Sequence, residues 1–121
     1  MMMTGDWIDI GAVAEIPQRG ARTIKLGSTQ AGLGEEIAIF RTGSDQIYAL
    51  INRCPHKQGH LSQGIVHGEV VTCPLHNWRI SLTTGKALGD DTGCVPTIPT
   101  RVDAGRVLIS RIAMLATAAA A

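Results

Sequence analysis

Two short blocks constrain this chain more than anything else in it: Cys54-Pro55-His56 and Cys73-Pro74-Leu75-His76, separated by the sixteen residues 57–72. Each block puts one thiol and one imidazole within one or two residues of each other, so both side chains can point into one small space. The proline after each cysteine fixes φ and removes an N–H, which stiffens the loop tip. Gly59 and Gly64 follow the first block and Gly85 the second, where backbone can approach closely or take φ > 0. Two such loops facing each other form a clamp of two soft sulfur and two borderline nitrogen donors, a set suited to a transition-metal centre. A centre with two ends, both cysteines on one metal and both histidines on the other, fits it. A single zinc ion held by all four residues is the competing reading. Small zinc modules, however, pair like ligands, and here each block mixes them.

The rest of the composition narrows the class. With 121 residues the chain can build one domain around one core. Eleven Lys and Arg against ten Asp and Glu leave a net charge of +1, which gives no electrostatic case for nucleic acid or an anionic membrane. No apolar run is long enough to span a bilayer, and Met1 to Asp6 lacks the basic and apolar regions of a secretory signal. Once Cys54 and Cys73 hold a metal, Cys94 has no partner for an internal disulfide, a pattern that suits a reducing cytosol. A soluble, cytoplasmic protein is expected. Aromatic residues make up only 3% of the chain, so aliphatic side chains must fill the core, and the β-branched ones among them favour strands.

Short alternating segments recur along the chain. Trp7 to Ile10 and Arg22 to Leu26 read as strands, joined through a connection at Val13 to Pro17. Gly27 to Gly34 is a polar, glycine-rich loop. Ile37 to Arg41 and Gln46 to Ile51 flank Thr42-Gly43-Ser44-Asp45, a strong hairpin signal, and the second of them runs into Cys54. After a turn at His67-Gly68-Glu69, Val70 to Thr72 leads into Cys73; Trp78 to Leu82 then precedes a turn at Thr84 to Lys86. The two ligand loops thus lie at strand ends and can meet at one tip of a small sheet. Gly89 to Pro99 reads as a loop, and Thr100 to Val102 with Arg106 to Ser110 as a closing hairpin. Without a long amphipathic helix, the chain is expected to be all-β.

The pattern C-x-H, sixteen residues, C-x-x-H resembles the Rieske [2Fe–2S] family, with every ligand position filled by Cys54, His56, Cys73 and His76. The wording N-R-C-P-H-K-Q-G, L-S-Q-G-I-V, V-T-C-P-L-H-N-W-R-I-S-L and G-C-x-P-T-I-P-x-R-V is similar to the small subunit of assimilatory NAD(P)H nitrite reductase, roughly from Trp7 to Ile109. The resemblance implies antiparallel sheets with a small inserted cluster-binding subdomain, at about residues 52–84; the alanine-rich segment 112–121 beyond it reads as a flexible tail or a short helical turn. The resemblance also implies a [2Fe–2S] cluster here, and a large partner subunit with FAD, a [4Fe–4S] cluster and sirohaem that reduces nitrite to ammonium in nitrate assimilation. This chain would then be an electron-transfer subunit of an oxidoreductase, with no active site of its own. The alternative carrier is a Rieske ferredoxin that delivers electrons to an aromatic-ring-hydroxylating oxygenase. From a different class, a zinc-stabilised interaction module stays open.

Residues around the blocks carry smaller expectations. His60 and His67 read as exposed turn residues, and His60 stands where the resembling family usually has proline. Cys94 reads as a small buried hydrophobe or a support beside the cluster. Trp78 reads as a core aromatic at a strand start, and Lys57 and Arg79 as surface charges. In respiratory Rieske proteins an extra cysteine pair braces the ligand loops, and a Ser and a Tyr donate hydrogen bonds toward sulfur. This chain has Gly59 and Leu75, and Trp78 and Ile80, in those places. Fewer donors predict a potential in the lower part of the Rieske range, and a ferredoxin-like carrier in place of a quinol oxidant.

Overall fold

The structure is a computed structural model that describes residues 7–25, 36–53, 60–73, 77–89 and 93–110. Within them ten strands form three antiparallel sheets, and the only helical pieces are two single 3-10 turns, Val13–Glu15 and Leu61–Gln63. The all-β expectation holds.

The first sheet joins the two ends of the described chain. Strand β1 (Trp7–Ala12) pairs with β10 (Arg106–Ser110), which pairs with β9 (Thr100–Asp103). The β9–β10 hairpin turns through Ala104 and Gly105, both at positive φ (51° and 79°), as a tight two-residue turn between twisted strands requires. The register of β1 slips between Asp9 and Gly11, where the Asp9 carboxylate accepts the Gly11 N–H at 2.9 Å.

The second sheet has the order β2 (Gly20–Lys25), β3 (Glu36–Arg41), β4 (Ile47–Ile51) and β8 (Thr97–Ile98). Its strand β3 is buried on both faces: Ile37, Ala38, Ile39 and Phe40 are all inaccessible, so it reads as an unbroken apolar run. The β3–β4 connection is shaped by Thr42, whose buried hydroxyl accepts the Gln46 N–H at 3.0 Å, with Asp45 at φ 66°.

The third sheet is small: β5 (Ile65–His67), β6 (Val70–Thr72) and β7 (Arg79–Ser81). Val66, Val71 and Ile80 lie in register and point inward, where all three are buried in the core. Ile65, Thr72 and Arg79 share the outer face, with Ile65 70% exposed. This sheet is fastened to the second by the Tyr48 hydroxyl, which donates to Glu69 at 2.8 Å. Burial, then that hydrogen bond and the Glu69 charge, push the Tyr48 phenol above its ordinary range.

Two strands depart from the sequence expectation. β5 lies in the connector between the ligand blocks, and β8 lies in the Gly89 to Pro99 segment expected to be loop. β5 is held in a hairpin by the next strand, β6, and β8 by the remote strand β4 through Ala49↔Ile98 and Leu50↔Thr97. The expected loop at Gly27 to Gly34 and the tail at 112–121 lie outside the described residues.

Candidate metal centre

The register of the third sheet decides where the ligand blocks go. Ile65 pairs with Thr72, and Thr72 with Arg79, so one residue further on Gly64, Cys73 and Trp78 line up at the same end. The first block returns to the sheet through Gly64, and the second leaves it from Cys73. Gly64 has no room for a side chain: a Cβ there would meet the Thr72 carbonyl oxygen and come within 2.9 Å of Val71 Cγ2. Gly64, which follows the first block, and Cys73, which opens the second, therefore lie side by side at the end opposite the Gly68 turn.

Of the four residues expected to be ligands, Cys73 is the one the structure describes. It is 1% exposed and packs with the core. Its N–H donates to the Trp78 carbonyl at 2.7 Å and its carbonyl accepts the Asn77 N–H at 3.0 Å, which closes the second block as a tight loop. Asn77, at φ 59°, takes the left-handed conformation that this closure requires and that asparagine tolerates better than most residues. Cys54, His56 and His76 lie outside the described residues, as do Lys57, Gly59 and Leu75.

The first block is framed by contacts at both its ends. Asn52, just past β4, is 7% exposed; its Oδ1 accepts the Ser62 N–H at 2.8 Å and its Nδ2 donates to Ser62 Oγ at 3.0 Å. Its Nδ2 also donates to Glu36 Oε1 at 3.0 Å, while its backbone N–H donates to the Glu36 carbonyl at 2.8 Å. Leu61, beside Ser62, is fully buried. Sequence reading singled out neither Asn52 nor Ser62, and the only signal was their position just outside the block.

The other candidates fall out as follows. His60 has a 60% exposed side chain, with Nδ1 3.7 Å from Glu36 Oε1. His67 is exposed at the end of β5, its Nε2 2.7 Å from the Thr72 hydroxyl. Arg79 is exposed, as expected, and Trp78 is partly buried against the core. Cys94 overturns the expectation of a buried hydrophobe: it is exposed, bridged to Lys86, and the buried neighbour is Val95. Alternation puts one of two adjacent residues in and the other out, and here valine takes the inside.

A buried thiol at the sheet end to which the first block returns, in a chain whose blocks supply one more thiol and two imidazoles, fits an iron–sulfur centre by donor chemistry. The Rieske [2Fe–2S] domain signature matches residues 6–99. The ferredoxin component of a naphthalene 1,2-dioxygenase system from Pseudomonas aeruginosa is 36% identical over 108 residues, 88% of this chain and 97% of that one. The fold matches, at a TM-score of 0.74 and 24% identity, a chain in a complex of oxygenase and ferredoxin of carbazole 1,9a-dioxygenase, covering 89% of this chain and 95% of the other. A Mycobacterium tuberculosis protein described as an NADH-dependent nitrite reductase small subunit matches at a TM-score of 0.73 and 26% identity, over 87% of this chain and 94% of its own.

Proposed function

We propose a carrier function on one premise: the chain belongs to the Rieske [2Fe–2S] domain family. It is a Rieske electron-transfer domain, and the family's cofactor is a [2Fe–2S] cluster. When bound, the cluster takes up and releases one electron. Cys54 and Cys73 would hold one iron as thiolates, and His56 and His76 the other as neutral imidazoles. The burial of Cys73 keeps its thiolate away from water, where its electrostatic interaction with a metal is strongest. Residues of about 52–84 would form the cluster-binding unit, with residues 112–121 as a tail.

Within the family, the reading is a cytoplasmic Rieske ferredoxin that delivers electrons to an aromatic-ring-hydroxylating oxygenase. The observation that carries it is the 36% identity sustained over 97% of a dioxygenase ferredoxin component. The wording around the ligand blocks pointed first to the nitrite reductase small subunit. That wording is constrained by the cluster itself and discriminates poorly between carriers, whereas identity along the whole chain also samples the partner-facing surface. The nitrite reductase role is the second reading, supported by the 26% identical small subunit and by the N-W-R-I-S segment after His76.

The test has two steps. Anaerobic purification should yield a coloured protein with iron and labile sulfide and a Rieske-type EPR signal after dithionite reduction, which Cys73→Ser abolishes. A colourless protein with one equivalent of zinc would overturn the carrier reading. The reduced protein is then mixed with a purified ring-hydroxylating oxygenase or with a sirohaem flavoprotein, and its reoxidation is followed optically. Faster reoxidation by the oxygenase is expected; reoxidation by the flavoprotein alone would establish the second reading.

A further inference from the structure

We propose that Asn52 is the positioning residue of the first ligand loop: it clasps the two ends of the segment that carries Cys54 and His56 and ties them to the base sheet. The inference rests on the metal-centre reading above and adds a residue outside the ligand set.

The geometry is that of a two-point grip. Asn52 lies two residues before Cys54, and Ser62 lies six residues after His56. The Asn52 amide accepts from the Ser62 N–H and donates to the Ser62 hydroxyl, so a single planar group fixes both the distance and the rotation of the 3-10 turn that follows the block. The remaining Nδ2 hydrogen goes to the Glu36 carboxylate on β3, and the Glu36 carbonyl takes the Asn52 N–H. Both amide hydrogens and the amide oxygen of this buried side chain are thus engaged, as a buried amide requires.

The grip also replaces a missing cap. The turn Leu61–Gln63 has His60 at its N-cap, and His60 makes no side-chain capping bond. The Ser62 N–H, two positions past that cap, is the donor an N-cap side chain would normally satisfy. Asn52 satisfies it from ten residues away in sequence. Capping and loop closure are therefore one act: the turn that anchors Leu61 in the core forms fully only when the ends of the ligand loop are together.

The test uses the anaerobically purified holoprotein, four single variants and one double variant. Asn52→Ala deletes the clasp; Asn52→Asp keeps its shape but replaces the donating Nδ2 with an oxygen facing the Glu36 carboxylate. Ser62→Ala removes one of the two bonds. Val107→Ala, at a buried position of β10, lowers stability in a different sheet. Bleaching of visible absorption by a chelator should be at least about ten-fold faster in both Asn52 variants, the scale seen when groups that orient metal ligands are lost. Ser62→Ala should fall between, and Asn52→Ala combined with Ser62→Ala should be no worse than Asn52→Ala. The midpoint potential and EPR line shape should move in the Asn52 variants and stay put in Val107→Ala. If the Asn52 variants lose only thermal stability, with wild-type potential, EPR and bleaching rate, Asn52 is a structural residue and the proposal is overturned. If Asn52→Ala does not fold, Ser62→Ala against Val107→Ala decides the same point. If the wild type binds no cluster, the metal-centre reading fails separately. The clasp is then judged by Ser62 amide exchange, which must accelerate in Asn52→Asp but not in Val107→Ala if the clasp is real.

Discussion

At Asp9 the ends of the chain speak to each other through one side chain. Its carboxylate accepts from Arg106 Nε at 3.1 Å and Nη2 at 3.0 Å, and from the Gly11 N–H at 2.9 Å. Those Arg106 hydrogen bonds, then the Gly11 amide, hold the Asp9 carboxyl below the ordinary carboxylate value of 3.8. A carboxyl depressed in the folded state adds stability above its unfolded pKa, and that stability disappears as pH falls through the folded value. Asp9→Asn should therefore lower the urea midpoint at pH 7 by an amount that shrinks as pH falls below the ordinary carboxylate value, flattening the acid side of the stability profile. An identical pH slope in the variant would show that the Asp9–Arg106 pair is energetically silent, as many exposed pairs are. Single residues differed in how much the sequence told of them. The place of Cys73 at a strand end was legible because the alternating Val70 to Thr72 runs straight into it. Asn52 was not, because its partners Ser62 and Glu36 lie 10 and 16 residues away and nothing local marks it. Cys94 was misjudged because residue type alone does not say which side of an alternating segment faces in.

Elements marked by turn chemistry were legible, and elements that are very short, one of them also held by a remote partner, were not. The hairpins at Thr42 to Asp45 and Asp103 to Gly105 follow from turn residues whose side chains or positive φ close the turn themselves. Strand β8 spans two residues and exists by pairing with β4, and β5 spans three and exists by pairing with β6. Segments that short give alternation too few positions to register. The same contrast separates two glycines of the small sheet. Gly68 has φ 59° and open space around a would-be Cβ, so Gly68→Ala should cost only the left-handed backbone penalty, about 1 kcal/mol. Gly64 needs no unusual φ (−81°), but a Cβ there runs into the Thr72 backbone carbonyl, which cannot swing away as a side chain could. Gly64→Ala should cost about 1–3 kcal/mol and should also disturb the cluster's EPR signal, since it pushes the first ligand loop off the second. Chemical denaturation of both variants, with EPR on the reduced proteins, checks this. A larger loss from Gly68→Ala, or an unperturbed signal in Gly64→Ala, would contradict the side-by-side placement of Gly64 and Cys73.

Across the whole molecule, stability is unevenly shared between the three sheets. The first two own most of the apolar core, with β3 buried on both faces and Val107 and Ile109 closing it from β10. The third contributes one inward row, Val66, Val71 and Ile80, from three-residue strands, and so small a sheet is marginal by itself. Hydrogen bonds that hold it, and the turn that leads into it, to the base include Tyr48 to Glu69 and Asn52 to Ser62. A cluster that joins the two ligand loops at its open end would bind only when that sheet is in place, so its binding free energy falls on this part of the fold first. Removing the cluster anaerobically with a chelator should therefore raise amide exchange at Val71 and Ile80 far more than at Ile39 and Leu50. The base should keep a cooperative thermal transition of its own. Equal acceleration everywhere would mean that the sheets form one cooperative unit. No change anywhere would mean that the ligand loops are held by the protein alone, with the centre added to a finished site. The thin core of the third sheet argues for the first outcome: a layer with one buried row has little besides the metal to close it.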